Sequence, residues 1–330
     1  MAVRFYKKPD PRLRGDKLAP AEAGDTIMFC GWSGIGNIGL LAIDTLKGLL
    51  RAQEFAQIEP WDFFDPQKVS IKRGLLKDLE FPSNKFYFCR KASLSGQRVA
   101  GQDLLFFIGQ QQPTEGGTRY AQGRKAYEMA NLVLDVAERF GCRRLYTSGA
   151  AVTQIHHTVK PRVWAVPNNQ KLINEVKQYR NTILMSEIEG RGDQGVITGL
   201  NGLMLGVAKS RGLEAICLMG EIPYYLQAAP WPYPKASKSV LEVLAKILDV
   251  SLDLSTLDEL AQRVEQSIEE FLESLYSTEA IPPEVKDEIE KLKHTEPTGP
   301  GPITEDEQKK IMEHIDELFD QGGRADEKHL

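Results

Sequence analysis

The sequence has no surplus of positive charge, no long apolar run and no clustered cysteines. Lys and Arg number 41 against 46 Asp and Glu, a formal net charge of −5. With no basic block among them, nucleic acid is not an expected partner, because phosphate-tracking surfaces are built from grouped cations. No apolar stretch nears the ~18 residues that cross a bilayer, and the first residues carry no signal-peptide apolar core. No membrane contact and a cytoplasmic location are therefore expected. Cys30, Cys89, Cys142 and Cys217 lie far apart, which argues against a disulfide frame or a metal knuckle and for reduced, buried thiols. HExxH, GxSxG and P-loop patterns are missing as well. Neither a metal nor a cofactor is expected.

What remains is an ordinary globular composition, 42% apolar and 26% charged over 330 residues, enough for one large core with an appendage. The chain divides into an N-terminal arm (1–24), an α/β core (25–250), a helical extension (251–280) and a charged helical tail (281–330) with a Gly/Pro linker at 298–302. Within the core, 25–30, 55–64, 68–71, 85–90, 103–109, 143–149, 162–166 and 214–219 read as strands. Helices are expected at 120–140, stopped by Gly141, and at 238–248. Further helices are expected at 256–276, from 281 to about 294, and at 304–319 behind a Thr304/Glu307 capping box. Strands alternating with helices predict a mostly parallel sheet with helices on both faces, a three-layer α/β/α fold.

Gly195, Gly199, Gly202 and Gly206 fall at steps of four, three and four. On a helix those steps share one face. Each costs roughly 1 kcal/mol relative to alanine, so the spacing predicts a helix starting near Asp193 and pressed backbone-close onto the strand at 214–219. Ligands of open α/β sheets sit beyond the carboxyl ends of strands, which singles out the polar exit Gly220–Tyr225. Glu221 directly follows an apolar run, so it is a weak candidate for a general base; its other reading is an ion-pair partner of Arg191 or Lys235. Gly31, Trp32, Ser33, Gln110, Thr147, Ser148, Gly149 and Asp193 are the other residues expected around a pocket. His156 and His157, as strand neighbours, are expected to point to opposite faces, which excludes a shared metal. Gly34-Ile35-Gly36-Asn37-Ile38-Gly39 satisfies the dinucleotide pattern between a strand and a helix, with Glu54 or Glu59 in reach of a ribose. It equally suits a tight, packed turn, and Trp32 stands where the phosphate path should be clear. Tyr224, Tyr225, Trp231 and Tyr233 form an aromatic, proline-rich loop of the kind found at lids and subunit interfaces.

Three blocks together resemble one family. They are the strand running into Gly31-Trp32, the helix Ile197-Thr198-Gly199-Leu200-Asn201-Gly202 after Asp193-Gln194-Gly195, and Gly220-Glu221-Ile222-Pro223-Tyr224-Tyr225 with Pro234 and Ala236 beyond. The chain from about Thr26 to Tyr276 is similar to the proteasome assembly chaperone family, in its bacterial and archaeal branch, often labelled ATP-grasp or carboxylate–amine ligase-like. The resemblance implies a phosphorylase/peptidyl-hydrolase-like fold, homo-oligomers and a chaperone-like role. Many relatives carry Pro-His-Tyr where this chain has Pro223-Tyr224-Tyr225. Archaeal relatives can end in a hydrophobic-Tyr-any tail that docks on proteasome rings, whereas this chain ends Lys328-His329-Leu330.

The leading expectation is a non-catalytic, homo-oligomeric protein that binds itself, a trimer first, and other proteins, with the aromatic loop and the C-terminal helices as contact surfaces. The alternative is an enzyme of phosphorylase/hydrolase-like fold or an ATP-dependent ligase acting on a nucleoside, nucleotide or peptide-like substrate, with Glu221 as base. The third is a dinucleotide binder through Gly34–Gly39.

Overall fold

The structure is a computed structural model and describes residues 3–5, 26–65, 69–77, 79–90, 102–114, 121–185, 196–277 and 283–294. In chain order the elements are β1 (Val3–Phe5), β2 (Thr26–Trp32), α1 (Ile38–Leu49), β3 (Gln53–Ile58), β4 (Ile71–Lys72), β5 (Leu75–Leu76), β6 (Asn84–Cys89) and β7 (Asp103–Gly109). There follow α2 (Gly123–Arg139), β8 (Cys142–Thr153), β9 (Val163–Pro167), α3 (Gln170–Val176), β10 (Thr182–Leu184), α4 (Gly199–Ser210) and β11 (Glu214–Pro223). Three helices close the described chain: α5 (Pro234–Ile247), α6 (Ser255–Ser277) and α7 (Pro283–Leu292).

Nine strands form one sheet in the order β1-β3-β6-β7-β2-β8-β11-β9-β10. Its centre is parallel, with β2 flanked by β7 and β8 and β8 paired to β11. The expectation of a mostly parallel sheet is corrected: β1-β3, β3-β6, β6-β7 and β11-β9 pair antiparallel, so the sheet is mixed. The described residues between β3 and β6 hold no α-helix. Parallel neighbours need a crossover of a dozen or more residues, usually helical, whereas antiparallel ones do not.

Alternation along β11 sorts the core. Ile216, Leu218 and Ile222 join Ile38, Ala42 and Ile43 of α1 and Val240, Leu241 and Leu244 of α5. Ala215, Cys217 and Met219 join Ala126, Met129 and Val133 of α2 and Met204 and Ala208 of α4 on the opposite face. α6 and α7 add Leu257, Ile268, Leu272 and Ile289 to the first cluster. Gly141, at φ +71, ends α2 where the sequence places its stop.

The glycine steps expected to press one helix onto the sheet do not do so. α4 begins at Gly199 behind Thr198, and Asp193, Gly190, Gly192 and Gly195 lie outside the described residues. A Cβ on Gly206 would meet nothing within 4 Å, and one on Gly202 would strike the Ile197 carbonyl of the approach to the helix, 2.2 Å away. The close approach is made instead by α1 and α5. A Cβ on Gly39 would lie 2.1 Å from the Ser148 carbonyl oxygen of β8. One on Gly31 would lie 2.8 Å from the Gly39 carbonyl oxygen, and one on Gly220 2.9 Å from that of Ala236 in α5. The Gly34–Gly39 pattern is thus occupied by packing of the chain on itself, with Gly36 at φ +56 against Ile222 and Tyr233.

Two strand boundaries also differ from expectation. β3 stops at Ile58, before a 3-10 turn at Pro60–Asp62. Of the strand expected at 68–71, Lys68 lies outside the described residues and only Ile71 enters a strand, the first of the short β4–β5 hairpin, whose turn residues Arg73 and Gly74 both have positive φ, 53° and 77°. Such a turn matches the right-handed twist of its strands. The arm and linker assignments at 6–24 and 298–302, and the helix expected at 304–319, lie outside the described residues.

Candidate functional site

At the carboxyl ends of β2 and β7 two of the expected pocket residues meet. Ser33 Oγ donates to the Gln110 carbonyl at 2.7 Å, and Gln110 Oε1 accepts from the Ser83 amide at 2.9 Å. Gln112, not singled out in the sequence, completes the group: its Nε2 donates to the Ser33 carbonyl at 2.8 Å and its Oε1 accepts from the Leu200 amide at the start of α4, 3.0 Å away. These groups tie three loops together. Trp32 is buried with its ring 6.4 Å from Phe107. Thr147 and Ser148 are buried within β8, and Gly149 lies so close to Asn201 of α4 that a Cβ would sit 2.5 Å from Nδ2. The Ser148 hydroxyl has no hydrogen-bond partner among the described residues.

Gly220–Tyr225 is not the strand exit that was expected. β11 continues through it to Pro223, so Glu221 lies inside a central strand and is fully buried. Lys235 is not its partner, and Arg191 lies outside the described residues. Glu221 accepts from the Arg162 amide at 2.8 Å, from Arg162 Nη2 at 2.8 Å and Nε at 3.1 Å, and from Trp164 Nε1 at 2.8 Å. Strand β9 runs beside β11 and its alternation puts Trp164 on the Glu221 face. Such a carboxylate, with both oxygens engaged by donors, anchors β9 and the loop before it to the sheet.

The third polar group is one that sequence reasoning set aside. His156 and His157 do not point to opposite faces: they follow the end of β8, in a turn, with ring centroids 4.1 Å apart. The Tyr225 hydroxyl accepts from the His157 amide at 3.0 Å and is hydrogen-bonded to His157 Nδ1 at 2.9 Å, which leaves Nε2 as the other ring nitrogen. That nitrogen is buried and unpartnered among the described residues. The His157 carbonyl accepts from Tyr233 at 3.3 Å and from Lys235 Nζ at 2.9 Å, and Lys235 continues to Glu265 of α6 at 3.1 Å. Burial first, then the charges of His156 and Lys235, push His157 down to about 3. It is neutral at ordinary pH.

The aromatic residues expected to face a partner face this chain instead. Tyr224, Tyr225 and Tyr233 are buried among the C-terminal helices, because α6 and α7 cover the loop. Trp231 is half-buried, edge-on to Phe271 of α6 at 5.5 Å. The large apolar side chains that do reach solvent lie elsewhere. Trp61 (62% exposed), Ile71 (70%), Leu75 (74%) and Leu76 (74%) cluster in sequence on and beside the β4–β5 hairpin. At its base, a cavity of about 300 Å³ is lined by Phe63, Phe64, Phe81 and Pro82 and reaches Gln110. Strands are marked in a sequence by apolar alternation or by a sustained apolar run, and Ile-Lys-Arg-Gly-Leu-Leu offers little of either.

Among the described residues no three His, Cys, Asp or Glu side chains are grouped to hold a metal ion, and no helix is long and apolar enough to cross a membrane.

With that geometry in place, similarity to known proteins is extensive. The model of the PAC2 family matches residues 28–272. The uncharacterized protein MJ1210 of Methanocaldococcus jannaschii is 28% identical over 268 residues, covering 80% of this chain and 91% of that protein. Among solved structures, Pyrococcus furiosus PbaB, an archaeal proteasome activator, superposes with a TM-score of 0.63 at 26% identity over 82% of this chain and 98% of its own. The proteasome-assembly chaperone homologue Rv2125 of Mycobacterium tuberculosis shares the fold at 19% identity, with a TM-score of 0.56 over 74% of this chain and 94% of that one.

Proposed function

The chain belongs to the PAC2 family, and from that premise we propose that it is a non-catalytic, homo-oligomeric protein of the assembly-chaperone type, on a phosphorylase/peptidyl-hydrolase-like fold. The observation that carries this reading is the exposed apolar hairpin. Ile71, Leu75 and Leu76 stand about three-quarters in water, and adjoining exposed apolar side chains of this size mark contact surfaces on soluble proteins. The proposed occupant is a second copy of the chain. The hairpin carries the exposed cations Lys72, Arg73 and Lys77, whereas α6 exposes Glu259, Glu269, Glu270 and Glu273. Half-buried Trp231 stands on that helix and extends its contact surface. Unlike patches that pair head to tail, rather than reciprocally about a two-fold, close into a ring when the rotation allows; a trimer is the smallest such ring. A cytoplasmic location and a role in binding other proteins complete the proposal, supported by the kinship with PbaB.

Light scattering of the full chain tests it. The wild type is expected at a multiple of 37.0 kDa, and the exposed-site variant Leu75→Asp/Leu76→Asp at the monomer mass with unchanged unfolding temperature. A monomeric wild type, or a variant that keeps the oligomer, overturns the hairpin as the self-contact.

A further inference from the structure

At the amino ends of β2, β8 and β11, the end of the sheet opposite the groups described so far, lies a cavity of about 780 Å³. That volume falls in the range of small-molecule sites. Arg143, Arg144, Lys171 and Lys246 line it against two carboxylates, Glu175 and Glu214, on a chain of net charge −5. The carboxylates are already committed. Arg144 Nη1 is 2.8 Å from Glu175, Arg144 Nε is 2.9 Å from Glu214, and Lys171 Nζ is 3.1 Å from Glu214. Burial alone would raise the Glu214 carboxyl, but hydrogen bonds from Arg144 and Lys171 outweigh it and hold the group below its usual range.

Arg143 and Lys246 have no ion-pair partner among the described residues and are exposed. A further group points to a missing ligand. The Thr26 hydroxyl, on the same wall, is buried at 1% exposure with no hydrogen-bond partner among the described residues. An unsatisfied buried hydroxyl costs about 1–3 kcal/mol in a fold, and an incoming acceptor would relieve it.

We propose that this cavity binds a dianionic phosphate group, either inorganic phosphate or the phosphate of a small monoester. Two uncompensated cations match a dianion, and a guanidinium presents paired donors to phosphate oxygens. A carboxylate would leave one cation unmatched. The volume beyond the phosphate, walled by Tyr179 and Ile247, is where the remainder of a monoester would lie.

Equilibrium dialysis of the full chain against inorganic phosphate and, separately, AMP, at ionic strength held constant with sodium chloride, tests the assignment. Saturable binding of one equivalent per chain is expected, and Arg143→Ala/Lys246→Ala should weaken it at least tenfold while leaving the unfolding temperature of the ligand-free protein unchanged. Thr26→Val tests the hydroxyl's part, with weakened binding expected. AMP binding at least tenfold tighter than phosphate assigns the site to a monoester; comparable or weaker AMP binding assigns it to inorganic phosphate. No saturable binding of either probe, or binding unaltered by the double substitution, overturns the proposal.

Discussion

Replacing Glu221 by Gln isolates the charge of the buried pair while keeping the side-chain volume. The carboxylate is fully buried and takes hydrogen bonds from the Arg162 amide, the Arg162 guanidinium and Trp164 Nε1. Removing one partner of a buried pair costs about 3–5 kcal/mol, because the other charge is stranded. Two features lower the figure here. Arg162 keeps 21% of its side chain in water and rehydrates in part, and the Gln amide retains one acceptor oxygen. About 2–3 kcal/mol is therefore expected. An unfolding entropy of about 2.1 cal/mol/K per residue near 60 °C sums, over this chain, to about 0.7 kcal/mol/K, so the melting temperature should fall by about 3–4 °C. Calorimetry on Glu221→Gln, Arg162→Met and the double variant measures it, the double variant being less destabilised than the two singles added together. A drop of less than about 1 °C, or additive singles, would show that the pair contributes nothing as a pair.

Two glycine substitutions should move stability in opposite directions. Gly39→Ala forces a methyl to within 2.1 Å of the Ser148 carbonyl oxygen and should cost at least about 1–3 kcal/mol; Gly206→Ala, open on all sides, should gain up to about 1 kcal/mol, both read by denaturant midpoints. His157 is neutral in the fold down to about pH 3 but takes up a proton in the unfolded chain near 6.5. The unfolded state thus binds more protons in that window, and stability should fall as pH drops from 6.5 towards 3, by at most about 1.4 kcal/mol per pH unit. His157→Gln should flatten that part of a stability–pH curve, and an unchanged slope would exclude the residue as its source. All four cysteines are buried, with Cys217 pushed up to about 12 by burial. A thiol reagent at pH 8 should therefore titrate none of them quickly in the native protein and four in guanidinium, whereas one fast native thiol would refute their placement.

Much of the core is legible in the sequence because its signals are local. Asp103–Gly109 is an uninterrupted apolar run, the 120–140 segment repeats its apolar residues at helical spacing, and the positive φ of Gly141 ends that helix as its identity suggests. A polar residue inside a central strand defeats the same reading. Glu221 looks like the end of β11, and what keeps it inside is Arg162 and Trp164, more than fifty residues away. Nor does spacing say what lies opposite a glycine. Gly202 and Gly206 hold a perfect helical step and face a turn and open space, while Gly31, Gly39 and Gly220, scattered over three elements, make the contacts. The hairpin is hidden for a related reason: its two strands are two residues each, too short for a period.

The common cause bears on function. A side chain's chemistry is decided by its non-local partner, so residues picked by type (Glu221, Ser33, Gln110, Tyr225) prove to be already partnered within the fold. Leu75 and Leu76 at one surface and Arg143 and Lys246 at another, exposed and without a partner among the described residues, carry no motif at all. Free side chains are what a second molecule can engage, and for this chain they became visible only once the internal pairings were subtracted.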